Sequence, residues 1–161
     1  MKSSYLNSGL AMLFSLIGFH AVADENMIFH GTLVDYPSCT INDNQPINIE
    51  FGNVGINKID GVSYEKDIDY KIACDGTDTQ HQLYLSITGQ GASFNAGYLN
   101  TSVDGLAIEI KQNSEAYTLA DQIPVALDAP PKLSAVPVKN SEVALATGEF
   151  SATATLQAFY Q

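Results

Sequence analysis

Along most of the chain, apolar and polar residues alternate with a period of two, and Gly, Asn, Asp and Pro interrupt the alternation. Successive side chains of an extended strand point to opposite faces, so this pattern predicts half-buried strands. No stretch after the first two dozen residues keeps a 3.6-residue apolar period over three turns. Residues 27–34 read as one extended stretch, and Thr40-Ile41 resumes after the break at Pro37. Ile47-Asn48-Ile49-Glu50-Phe51 alternates up to Gly52-Asn53, and residues 67–72 alternate charge with apolar bulk up to Cys74. Residues 83–87 and 106–110 predict two more strands, each entered from a turn-rich segment. Residues 133–139 contain Pro137, which cannot donate to a ladder, and read as an edge or bent strand. Residues 148–160 read as the longest strand, and residues 116–120 leave room for a short helical turn. Seven or eight short strands at this spacing predict a β-sandwich of immunoglobulin-like type in one domain.

The two ends carry the most information. In the closing segment Phe150, Ala152, Ala154, Leu156, Ala158 and Tyr160 share one parity, and Ser151, Thr153, Thr155 and Gln157 share the other. The strand therefore has one apolar and one mainly polar face, with Phe159 breaking the polar parity. It ends one residue before the last, so no later strand is expected on its outer edge. At the other end, Lys2, an apolar run over residues 10–19 and Ala21-Val22-Ala23 read as a secretory signal peptide spanning residues 1–23. The apolar run falls short of the ~20 residues that a membrane anchor needs. Behind it, residues 24–30 carry Met27, Ile28 and Phe29 close together. Large apolar side chains cost roughly 1.5–3 kcal/mol each when left in water. This segment therefore either folds back as a strand of its own sheet or inserts into another molecule.

Charge and cysteines narrow the classes. The chain has 18 acidic residues against 7 Lys and Arg together, all of them Lys, and a formal net charge of −11. Such a surface repels phosphate backbones and anionic lipid heads, which argues against nucleic acid and membrane surfaces as partners; keeping an exported protein in solution is the simpler role of the charge. No direct membrane insertion is expected. The two cysteines, Cys39 and Cys74, follow the leader, and an even count in an exported chain predicts a disulfide. A loop of this size makes such a bridge worth ~4 kcal/mol on the chain-entropy model. Two thiols without a nearby His pair do not complete a tetrahedral metal site.

The stretch Gly148-Glu149-Phe150-Ser151-Ala152-Thr153-Ala154-Thr155-Leu156, ending in penultimate Tyr160, resembles the C-terminal motif of chaperone–usher pilus (fimbrial) subunits, with Gly148 and Tyr160 at the family's two marker positions. Cys39-Thr40-Ile41-Asn42, Phe51-Gly52-Asn53 and Cys74 are similar to the corresponding segments of minor tip subunits of the P-pilus type. Residues 24–31 resemble the short N-terminal extension of minor tip pilins; unlike the extension of major shaft pilins, residues 24–30 contain no Gly. The resemblance implies an all-β fold, an incomplete immunoglobulin-like β-sandwich that lacks its seventh strand and is completed by donor-strand complementation and exchange. It implies an N-terminal extension over residues 24–30 with Met27, Phe29 and Glu25 facing a neighbour's groove, and a pilin domain over residues 31–161. It further implies an acceptor groove marked by Gly148, Phe150, Ala152, Ala154, Leu156, Ala158 and Tyr160. The implied partners are a periplasmic pilus chaperone, an outer-membrane usher and neighbouring pilus subunits, and the implied location is the fimbrium on the cell surface, reached through the periplasm. The implied function is a structural minor subunit, tip or adaptor, that supports cell adhesion. A terminator or major shaft pilin, or a free-standing periplasmic binding module, are the alternatives.

Enzymatic constellations are missing from the sequence. There is no HExxH, no G-x-S-x-G and no Gly-rich phosphate loop, so no catalytic residue and no cofactor are expected. Asp75 and Asp78 have the spacing of a turn rather than of a Ca²⁺ loop, so no metal is expected. Asn100-Thr101-Ser102 matches a glycosylation acceptor, a motif common by chance.

Overall fold

The computed structural model describes residues 27–161. The leader over residues 1–23, and Asp24 and Glu25 of the extension, lie outside the described residues. Residues 27–34 form a unit separate from residues 35–161. In that first unit no residue from Met27 onward belongs to a strand or helix, and Met27, Ile28, Phe29, Leu33 and Val34 are exposed.

The second unit is built from eleven strands. In chain order they are β1 (Cys39–Ile41), β2 (Lys66–Ile68), β3 (Ile72–Cys74), β4 (Leu83–Gly89), β5 (Gly91–Ala92), β6 (Asn95–Asn100), β7 (Leu106–Gln112), β8 (Glu115–Tyr117), β9 (Ile123–Val125), β10 (Leu133–Lys139) and β11 (Ala154–Tyr160). One sheet runs β2-β10-β7-β6-β5, with β8 also paired to β7, and a second runs β11-β4-β9. A short ladder joins β1 to β3. All pairings are antiparallel.

Alternation decides what each sheet buries. The inward parity of β4 (Leu83, Leu85, Ile87) meets Ile108 and Ile110 of β7 and Leu133 and Ala135 of β10 in one core, with Leu99, Tyr117, Ile123 and Val125. The other face of the large sheet keeps a smaller cluster of Ala92, Ala107, Val136 and Val138, covered by Phe94 and Tyr98. The two sheets thus pack face to face as a sandwich, as the short alternating strands led one to expect. At the tip of the β6–β7 connection Gly105 has φ +78°, and a Cβ there would lie 2.6 Å from Val143, so glycine is needed on both counts.

Cys39 and Cys74 are bonded to each other and stand directly opposite in the β1–β3 register. The turn after β1 locks the same ladder, since the Asn42 N–H donates to the Lys71 carbonyl and Asn42 Oδ1 accepts from the Lys71 N–H.

Several expected elements differ. Residues 67–72 are not one strand: β2 pairs with β10 and β3 with β1, so the chain changes sheets between Ile68 and Ile72. β10 is interior rather than an edge. Pro137 is tolerated because β2 flanks only Leu133–Ala135, leaving the half of β10 that contains Pro137 with a ladder on one side. Residues 116–117 belong to β8, and the short helical turns fall instead at Asn42–Asn44 and Ile56–Lys58. β11 begins at Ala154 rather than at Gly148, because its partner β4 ends at Gly89, opposite Ala154. It is therefore no longer than β4, β7 or β10.

Candidate functional site: an open-edged apolar groove

The second unit carries a groove of about 1030 Å³. One wall is residues 46–54, where Ile47, Ile49 and Phe51 are half-buried and Asn48 and Glu50 between them are exposed. The alternation predicted for this segment is present, but the segment is in no ladder. The opposite wall is residues 145–154 with Leu156, and the floor is the main core, including Ile87, Leu99, Ile108 and Ala135. Phe51 and Phe150 reach across from opposite walls, with ring centroids 6.0 Å apart.

The edge above the groove is open. β11 pairs with β4 on one side and, among the described residues, with no strand on the other. Hydrogen-bond parity shows which groups are left. Gln82 and Gln161 exchange both backbone bonds, at 3.1 and 3.0 Å. In an antiparallel pair such residues alternate with ones whose N–H and C=O point away, so from the Gln82–Gln161 pair Gln157 and Thr155 also face β4, while Leu156 and Ala154 face outward. The phase continues beyond the strand. The Ser151 carbonyl accepts from the Ser102 N–H at 2.9 Å, and the Ser151 N–H donates to Ser102 Oγ at 3.0 Å. Ala152, Ala154 and Leu156 therefore present main-chain donors and acceptors to the open side, where none has a partner among the described residues. Unpaired backbone groups beside apolar pockets are what an added β-strand satisfies.

The residues named from the sequence divide as follows. Gly148, Phe150, Ala152, Ala154 and Leu156 line the groove, whereas Ala158 and Tyr160 do not line it and instead pack on the main core, as do Cys39 and Ile41. Gly148 has φ +150°, a conformation side-chain-bearing residues rarely adopt, at the point where the chain enters the groove wall. Phe159, which breaks the polar parity, stacks on Tyr84 directly across the ladder, with ring centroids 6.2 Å apart. Met27 and Phe29 lie exposed in the first unit, and Glu25 lies outside the described residues. The residues missed from the sequence are the facing wall, Ile47, Ile49 and Phe51, although their alternation was visible.

Among the described residues no His, Cys or Lys lines the groove, and the charged residues lining it are Glu50 and Glu149. Elsewhere, Asp78 serves a turn: Oδ1 accepts from the N–H of Gln80 and of His81, and Oδ2 lies 2.7 Å from His81 Nδ1. The backbone bond from Gln80 is the main cause that holds the Asp78 carboxyl below its usual range. Asp75 accepts from Ser38 Oγ.

A profile of the family described as fimbrial protein matches residues 27–161. The chain is 39% identical over 147 residues to the uncharacterized fimbrial-like protein YfcQ of Escherichia coli (strain K12), covering 86% of this chain and 89% of that one. Its fold is similar to that of the P pilus rod subunit PapA, with a TM-score of 0.63 and 25% identity over 76% of this chain and 99% of PapA. The P pilus adaptor subunit PapF gives a TM-score of 0.54 at 25% identity, covering 78% and 97%. A matched profile over the whole described chain, together with a full-length relative, leaves one reading of the incomplete sandwich: the chain belongs to the fimbrial protein family, whose members are structural pilus subunits of the chaperone–usher kind and not enzymes.

Proposed function

We propose that this chain is a minor pilus subunit, in a tip or adaptor position, that joins its neighbours by exchanging β-strands. The observation that carries the reading is the unpaired, outward-facing main chain of Ala152, Ala154 and Leu156 above an apolar groove. A groove of this volume is at the upper end of what small ligands use, but it is open along a strand edge. An extended polypeptide fits it better, with ladder bonds along the edge and alternate side chains in the groove.

In this reading the segment carrying Met27 and Phe29 is the donor, with Glu25 on the same parity. Its exposed apolar side chains are buried only in a neighbour's groove. A periplasmic chaperone fills the groove first, and a neighbouring subunit's extension replaces its strand at the outer-membrane usher. The product is a fimbrium on the cell surface that supports adhesion. The adaptor position is supported by the likeness to PapF and by the absence of Gly from residues 24–30. The higher TM-score to PapA favours a rod subunit as a second reading.

The test is thermal unfolding of residues 24–161 with and without a synthetic peptide of alternating apolar residues. A large rise in Tm with peptide is expected. A stable monomer that ignores every such peptide would overturn strand exchange, and growth of long homopolymers would favour the rod reading.

A further inference from the structure

The two walls of the groove approach at Phe51 and Phe150, and beside each stands a carboxylate, Glu50 on one wall and Glu149 on the other. Both are exposed, and neither has an ion-pair or hydrogen-bond partner among the described residues. Glu50 and Glu149 are exposed where the adjoining Phe51 and Phe150 are half-buried, so the carboxylates lie on the solvent side of the groove. Side chains of a strand laid along the open edge alternate. Its inward residues enter the apolar groove, and its outward residues pass between the two carboxylates.

We infer that the groove selects a donor strand carrying Lys or Arg on its outward face, and that this chain's own extension is a poor ligand for its own groove. The inference rests on the strand-exchange reading above and adds the chemistry of the partner. With Met27, Phe29 and Glu25 inward, the outward set of the extension is Asp24, Asn26, Ile28, His30 and Thr32, which carries one carboxylate and no Lys or Arg. Each copy also carries a formal charge of −11, so copies repel one another before contact. Discrimination here comes from like charges set against the wrong donor as much as from the fit of the right one. The consequence is a subunit that enters the fibre once and hands over to a different, more basic neighbour.

Three peptides the length of residues 24–34 separate the outcomes when titrated against the full exported chain. Two share the same apolar inward residues but carry outward Lys or outward Glu, and the third copies residues 24–34. At low salt the Lys peptide is expected to bind about tenfold tighter than its Glu twin, the sum of two exposed ion pairs of ordinary strength. The copy of residues 24–34, with no outward Lys or Arg, binds more weakly than the Lys peptide. The gap closes at about 0.5 M salt, where the Debye length is only a few ångströms. It also closes in the double variant Glu50→Gln, Glu149→Gln, which keeps the groove intact. Equal binding of the twins at low salt overturns the charge selection while leaving strand acceptance in place. Binding of no peptide removes the groove reading and this inference with it.

Discussion

Tyr117 illustrates how one side chain joins the core to the groove. It is 5% exposed, and its hydroxyl accepts from the Ile87 N–H at 3.0 Å and donates to the Asp121 carbonyl at 2.6 Å. Ile87 lies in the groove floor, so Tyr117→Phe strips a buried N–H of its partner beneath the site. A loss of about 1–3 kcal/mol in urea unfolding is expected, the usual cost of an unsatisfied buried donor. Tyr70 governs a pH effect. Its hydroxyl donates to the Pro131 carbonyl at 2.5 Å, and burial pushes its pKa up to about 12 from an ordinary value of 10. Above pH 10 the unfolded chain loses this proton while the folded chain keeps it, so stability is full below pH 10 and falls toward pH 12. The variant Tyr70→Phe should remove that part of the alkaline loss, read as a flatter profile of urea midpoint against pH. Ser134 Oγ, donating to Glu65, is the main cause holding that carboxyl low, with Lys111 second.

Among the elements, β1 and β3 form the smallest ladder and depend most on a covalent tie. Opening the 35-residue separation between Cys39 and Cys74 with Cys39→Ser, Cys74→Ser should cost ~4 kcal/mol, measured by urea unfolding against the oxidised parent. The strands with alternating or β-branched runs, β4, β7, β10 and β11, were legible in the sequence, and so was the cysteine pairing. Others were not, for physical reasons. β6 spans Asn-Ala-Gly-Tyr-Leu-Asn, whose Asn and Gly read as a turn, and it is a strand because β5 and β7 flank it. β9 contains Pro124 at an outer position of its sheet, where a missing N–H is tolerated. The wall carrying Ile47 and Phe51 alternates like a strand, but a strand needs a partner as well as a pattern. The resemblance implies a groove wall from Gly148 to Tyr160; its members up to Leu156 line the groove, whereas Ala158 and Tyr160 lie outside it against the core.

For the whole molecule, strand exchange as proposed assigns donor and acceptor functions to two separate units of one chain, and variants should separate them. Replacing Met27 and Phe29 together with Ser is expected to abolish donation to a neighbour while leaving the Tm rise with an added peptide unchanged. Phe150→Ser should do the reverse, lowering peptide affinity by tenfold or more, since a large apolar contact is worth roughly 1.5–3 kcal/mol. Size-exclusion assays of mixed subunits read both. If either variant damages both activities equally, the assignment of roles to the two units is wrong. β11 is paired with β4 along all of its seven residues. A strand seated on its far side would pull parallel to that ladder, so tension along a fibre would load every rung in shear at once. The β11–β4 register would then set how much pulling such a joint withstands.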